Sequence, residues 1–190
     1  MILGVTGIFG SGKTTVSAIF KEHGFYIINV DRLYREMIKP NTLLYQRITN
    51  EFGTSILKPS GQINRKKLKI LVFNNSGNLK RLNEITHPYI INRIKEKISR
   101  SKKPNIVVDA PLLIEANAAW LVDKVIVVKA GKAKIMQRLI KKGKYTKEEI
   151  KSITNSQMSL REKLKYADYV VDNRGSIAET KKQIRKITKM

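Results

Sequence analysis

The 190-residue chain contains no cysteine, which excludes disulfides, thiolate metal sites and a cysteine nucleophile. Only two histidines occur, His23 and His87, too few to expect a histidine-built metal centre. Acidic residues are scarce as well: 15 Asp and Glu stand against 38 Lys and Arg, a formal net charge of +23. No apolar run approaches the ~20 residues of a membrane-spanning helix, so no membrane partner is expected. The opening residues, Met1 to Gly7, have no basic flank and reach glycine at once, unlike a signal peptide, and the expected location is the cytoplasm. What is present is enough for a folded protein. Apolar residues make up 42% of the chain, which suits a globular domain with small insertions.

The positive charge admits three readings. It could serve a nucleic acid, it could attract small polyphosphate ligands, or it could be lysine solvated on helix faces. The basic residues are spread along the whole chain and not gathered in a tail. That distribution favours the second and third readings, and no dedicated nucleic-acid partner is expected.

The segment Ile2-Leu3-Gly4-Val5-Thr6 is short, apolar and β-prone, as a buried parallel strand should be. A glycine-rich turn follows. From Lys13 the apolar residues Val16, Ile19 and Phe20 recur at helical spacing, with Gly24 as the stop. Phe25 to Val30 reads as a second strand ending at Asp31. From Arg32 to about Lys103 no buried strand stands out; apolar positions such as Ile90, Ile94 and Ile98 fall at helical spacing, punctuated by Pro40, Pro59-Ser60-Gly61, Asn74 to Gly77 and His87-Pro88. Strands return at Ile106–Asp109, 124–128 and 169–171. Between the last two a helix is expected over about 132–142, with Ile135, Met136, Leu139 and Ile140 on one face and a break at Gly143-Lys144-Tyr145, then a helix from Thr146. A last helix is expected from about Ser176. Buried strands alternating with helices predict an α/β fold with a parallel sheet.

Gly7-Ile8-Phe9-Gly10-Ser11-Gly12-Lys13-Thr14 matches the phosphate-binding P-loop pattern in full, and it sits between a strand and a helix, as the pattern requires. Glycines let successive N–H groups turn inward as an anion cradle, and the helix behind adds the positive end of its dipole. Lys13 supplies a point charge to the β- and γ-phosphates, and the Thr14 hydroxyl is a ligand for Mg²⁺. The Asn-Lys-x-Asp sequence with which GTPases read guanine is absent. Motor-like ATPases are usually larger, so the size and the helical insertion point to a small ATP-dependent kinase. Asp31 lies at a strand end, where a carboxylate can accept the proton of an acceptor hydroxyl or hold Mg²⁺ through water, or can serve as the cap of the next helix. Asp109, at another strand end, has the position of an acid that holds Mg²⁺ in many P-loop proteins, or of a cap.

Together these residues resemble the dephospho-coenzyme A kinases over nearly the full length. The loop from Thr6 to Thr15, Asp31 with Arg35, the stretch containing Phe52-Gly53, Gly61, Arg65 and Val72-Phe73, and His87-Pro88-Tyr89-Ile90 are similar to that family's motifs. So are Pro111-Leu112-Leu113-Ile114-Glu115, Gln157 and the run Ala167 to Gly175. The resemblance implies transfer of phosphate from ATP to the ribose 3′-hydroxyl of dephospho-coenzyme A. It also implies a three-layer P-loop kinase core with a five-stranded parallel sheet (about 1–31, 104–131 and 166–190), a helical substrate domain (about 32–103) and a short lid (about 132–165). Asp31, Lys13 and Arg138 would be catalytic. Gly10, Ser11, Gly12, Lys13, Thr14, Thr15, Asn173 and Gly175 would bind ATP. Arg35, Arg65, His87, Pro111, Leu112, Leu113 and Glu115 would meet the acceptor, with Mg²⁺ on Thr14, on Asp31 through water, and on Asp109 as a further candidate. The chain departs from the family pattern at Ile8 and Phe9, at Asn29 in place of an aspartate, and at Lys142 and Leu160 in place of arginines, with Arg161 next to the latter. The Lys142 replacement keeps charge without bidentate geometry.

Two other readings compete: a small kinase acting on a nucleoside, nucleotide or sugar acid, and a nucleic-acid-binding P-loop protein. A substrate panel separates the first, and stimulation of ATP turnover by DNA or RNA would mark the second.

Overall fold

The computed structural model describes residues 1–141 and 146–189, with the side chains at 132–134, 138, 141, 147 and 148 outside that description. The expected break at residues 143–145 therefore falls outside the described residues, as does Lys142.

Two compact units divide the chain: 1–29 with 98–190, and Val30–Lys97. In the first unit, the described residues form a sheet of strands β1 (Ile2–Thr6), β2 (Tyr26–Asn29), β3 (Ile106–Asp109), β4 (Lys124–Lys129) and β5 (Tyr169–Asp172). The order is β2-β3-β1-β4-β5 and every pairing is parallel. Parallel strands are covered on both faces, which is why β1, β3 and β4 read as continuous apolar runs. Helices α1 (Lys13–Glu22) and α9 (Ile177–Thr188) supply Val16, Ile19, Phe20, Ile184 and Ile187 to the core that Leu3, Val5, Val107, Ile126, Val128 and Val171 fill from the sheet. Phe20 meets Phe25 edge to face at 5.2 Å. The remaining helices of this unit are α6 (Lys132–Lys141), α7 (Lys147–Asn155) and α8 (Leu160–Leu164).

The second unit is helical: α2 (Val30–Met37), α3 (Leu43–Phe52), α4 (Arg65–Phe73) and α5 (Ser76–Ser99). Its own core joins Ile38, Leu44, Ile48, Ile56, Ile63, Leu68 and Val72. Tyr45 ties α3 to the turn at Gly61 by donating its hydroxyl to that carbonyl at 2.6 Å.

Three expectations need correction. The second strand stops at Asn29, and Val30 and Asp31 already belong to the first turn of α2. His87-Pro88 neither breaks nor starts a helix: Pro88 lies inside the 24-residue α5. It is exposed there, where its ring and missing N–H interrupt only the bond to the Glu84 carbonyl four residues back. On α6, Ile135 and Leu139 are buried and Met136 packs beside them, but Ile140 is turned to solvent.

Candidate active site

β1 is the central strand, flanked by β3 and β4. In an open α/β sheet the crevice at the strands' C-terminal ends, where the strand order reverses, is where ligands bind. The chain leaves β1 at that end, at Thr6, and enters the glycine loop. Gly10 and Gly12 have φ of 80° and 94°, in the left-handed region where a side chain is strained. A Cβ on Gly10 would also stand 2.8 Å from the Ile135 side chain of α6, and one on Gly7 would overlap the Val128 carbonyl.

The Ser11 N–H closes the turn on the Ile8 carbonyl at 3.1 Å, whereas the amides of Gly10, Gly12 and Thr14 meet no acceptor among the described residues. The helix behind them is bare as well. α1 has Gly12 as its N-cap, no side-chain cap bond and no acid in its first turn. By contrast α3, α4, α7, α8 and α9 open on Thr42, Asn64, Thr146, Ser159 and Ser176, each accepting from a first-turn amide. Convergent N–H groups at an uncapped helix start suit a phosphate. Lys13 is buried, and its ammonium donates to the carbonyls of Gly7 and Ile8 at 3.0 and 3.1 Å, so the cation is folded back over the same loop. Thr14 is exposed and Thr15 half-buried in the first turn of α1.

Asp109 is buried at the end of β3, in register with Val5 of β1 and Asn29 of β2. The Asn29 side-chain amide donates to its carboxylate at 3.4 Å. An aspartate at position 29 would set two carboxylates at adjacent strand ends; the asparagine sets a donor there instead. No group of three or more His, Asp or Glu with metal-site geometry occurs among the described residues.

Asn173, expected at the nucleotide, is buried and committed to the loop. Its amide donates to the Ser11 carbonyl at 2.8 Å, its backbone N–H bonds Lys129, and its carbonyl oxygen accepts from Thr180. The neighbouring Asp172 is clasped by the Arg174 guanidinium and by Lys129, which hold its carboxyl far below the usual carboxylate range. Gly175 precedes Ser176, the cap of α9, and a Cβ there would collide with Glu179, whose carboxylate bonds the Ser176 N–H.

The Pro111-to-Glu115 segment follows β3. Leu113 is buried against Gly4, while Leu112 is exposed. Glu115 accepts from the Met158 N–H at 3.0 Å and from the ammonium of Lys163 at 2.8 Å. Lys163 itself is completely buried and donates also to the Pro111 carbonyl at 2.8 Å and the Thr6 hydroxyl at 3.4 Å. Nothing in the sequence marked Lys163 or Thr6 in this way.

Of the other expected residues, Asp31, Arg35, Arg65 and His87 lie in the helical unit. Asp31 and Arg35 are exposed on α2 at a spacing of four, which puts them on one helix face. Arg65 opens α4, exposed, and its cation acts on Tyr34, whose hydroxyl nonetheless titrates above its ordinary value because it is buried. His87 is half-buried, and that burial lowers its pKa. Arg138 falls in α6, with its side chain outside the described residues.

The dephospho-CoA kinase family model matches residues 1–179. A dephospho-CoA kinase of Carboxydothermus hydrogenoformans is 42% identical over 186 residues, covering 96% of this chain and 90% of its own. The chain belongs to the dephospho-CoA kinase family. Among solved structures, the dephospho-CoA kinase from Campylobacter jejuni shares 31% identity with a TM-score of 0.69, covering 99% of this chain and 95% of its own. A crystal structure from Thermus thermophilus reaches a TM-score of 0.86 at 27% identity, with the same coverage. The departures from the dephospho-CoA kinase pattern at Ile8 and Phe9 have a visible role: both side chains pack with Ala130, Ile135, Leu139 and Ile150, so the loop's variable positions seat it against α6 and α7.

Proposed function

We propose that the protein transfers the γ-phosphoryl group of ATP to the ribose 3′-hydroxyl of dephospho-coenzyme A, giving coenzyme A and ADP in the last step of coenzyme A biosynthesis. The observation that carries this reading is the set of amides of Gly10, Gly12 and Thr14, without an acceptor among the described residues, at the bare start of α1 in a chain of the dephospho-CoA kinase family.

The loop amides and Lys13 hold the β- and γ-phosphates and offset the charge that builds on the transferred group. The acceptor oxygen bonds to phosphorus as the bond to the ADP oxygen breaks, and Asp31 takes the hydroxyl proton. Thr14 would hold Mg²⁺ directly, with Asp31 through water or Asp109 as carboxylate partner; the ion supplies charge neutralisation across the phosphates. Val30–Lys97, where about 32–103 was expected, serves as the acceptor domain, with Arg35, Arg65 and His87 for the coenzyme's anionic groups; Pro111 and Leu112 would also meet the acceptor. Residues of about 132–165 form the lid, from which Arg138 reaches the phosphates; closure keeps water from the γ-phosphoryl group. The segment around Asn173 and Gly175 borders the adenine of ATP. Among the described residues no helix is long and apolar enough to cross a membrane, and we place the protein in the cytoplasm.

The test is a coupled ADP-release assay with dephospho-coenzyme A beside a panel of nucleosides, nucleotides and sugar acids. Turnover confined to dephospho-coenzyme A is expected, and preference for another acceptor overturns the assignment. Lys13→Ala should fold normally by circular dichroism yet lose transfer; near-normal turnover in that variant would remove the loop from the mechanism.

A further inference from the structure

Hydrogen bonds hold the phosphate loop from outside at Thr6, Phe9 and Ser11, and the first two bonds are linked through one short stretch of chain. At the start of the loop, the Thr6 hydroxyl accepts from Lys163 at 3.4 Å and donates to the Pro111 carbonyl at 3.1 Å. Lys163 also bonds that carbonyl and Glu115, so the three donors of its ammonium meet three acceptors. Glu115 then accepts from the Met158 N–H. The adjoining residue, Gln157, accepts from the N–H of Phe9 at 2.9 Å, within the loop itself. A short stretch, 157–163, thus reaches both the entry and the interior of the loop. The third point, Asn173 on Ser11, comes independently from β5.

A completely buried ammonium paired to a carboxylate is seldom a net source of stability, because desolvation offsets much of the attraction. It does impose geometry, since each donor has one acceptor position. Here the geometry is the loop's. With the Phe9 N–H occupied by Gln157 and the Ser11 N–H by Ile8, the amides of Gly10, Gly12 and Thr14 stay available.

We propose that Lys163, Glu115 and Gln157 act as one brace that keeps the phosphate loop in its nucleotide-ready shape, Lys163 and Gln157 being positioning residues for the nucleotide. The inference rests on the kinase reading above. Without the brace the loop loses the Gln157 bond to the Phe9 N–H and the Lys163 bond to Thr6, the competent loop becomes a fraction of the population, and apparent nucleotide affinity falls by that fraction. In this proposal Glu115, expected at the acceptor, serves the brace.

The test compares Gln157→Met, the pair Lys163→Met with Glu115→Gln, and all three changes together. The paired substitution removes both charges, so no ion is left buried alone. Calorimetry measures ADP binding in the presence of Mg²⁺ and, separately, dephospho-coenzyme A binding; circular dichroism checks the fold. Each of the first two variants should weaken ADP binding about tenfold, and the triple variant no more than either, because they cut one path. Dephospho-coenzyme A affinity should be unchanged. Wild-type ADP affinity in a folded variant overturns the brace, and so do losses that multiply or that fall equally on both ligands. Should the paired variant fail to fold, Gln157→Met, which spares the ion pair, decides alone: weaker ADP binding at unchanged Tm supports the brace, and unchanged binding overturns it. The kinase reading is judged by wild-type turnover with dephospho-coenzyme A, so its failure is seen apart from that of the brace.

Discussion

Asp31 stands exposed in the first turn of α2, where any carboxylate gains from the helix dipole. Its catalytic part is therefore separable from its helical one. Asp31→Asn keeps the size but cannot take a proton, and kcat should fall about 10²-fold or more with nucleotide affinity retained. Collapse of ATP binding would instead make Asp31 a metal or structural group, and unchanged turnover would leave only the dipole. His87 offers a pH-dependent prediction. Burial lowers its pKa from the ordinary 6.5, so in acid the unfolded chain binds a proton that the folded one refuses. The contribution to stability is full above the ordinary value and is lost as pH falls below it, levelling off once the folded imidazole also protonates. Urea midpoints across that range should drop on acidification, and His87→Gln should flatten the drop; an unchanged slope would assign it elsewhere. Residues of the glycine loop were legible in the sequence because each acts locally, through its own φ or its own amide. Lys163 was not. It sits in a basic stretch with Arg161 and Lys165, where solvation is the ordinary reading, and its acceptors lie 48 to 157 residues away.

Elements with a continuous apolar run were readable to within a residue or two, since a parallel strand covered on both faces tolerates little else. The end of β2 was overrun because Val30 is as β-prone as the strand before it, and α2 follows β2 directly, with no residue between Asn29 and Val30. Pro88 was misread for a related reason. A proline marks a break when nothing else holds the helix, but α5 is fixed on both sides of it, by Thr86 and by Ile94, which are buried. The ring points outward, and the cost is one missing bond to Glu84. Pro88→Ala restores that N–H, and the net gain should be about 1–2 kcal/mol once the unfolded chain's added freedom is subtracted. A raised urea midpoint at unchanged slope is the expected observation. A lowered midpoint would show that α5 needs the proline's shape, and a fall in activity at raised stability would tie His87-Pro88 to acceptor binding.

At the scale of the whole molecule the largest unexplained quantity is the charge of +23. Among the described residues it stands mostly on exposed helix surfaces, as on α9, where Lys181, Lys182, Arg185 and Lys186 face solvent and Lys181 pairs with Glu22. Surface pairs of this kind contribute little to stability, so the excess has to act, if at all, at long range. Both proposed substrates are polyanions, and a diffuse positive field accelerates their capture. The rate of ATP association should therefore fall as salt rises, while kcat at saturation changes little. A nucleic acid would feel the same field. Duplex DNA and RNA should bind at low salt and be released steeply with ionic strength, because counterion release drives such binding. The motif that reads a groove, a basic face gathered on one arm or helix, is not what the sequence pattern shows; Lys and Arg occur in both units alike. Titration at near-physiological salt with turnover followed in parallel separates the two cases. Weak binding without effect on turnover is expected, and submicromolar affinity or stimulated ATP hydrolysis would make nucleic acid a partner of the enzyme and the charge its binding surface.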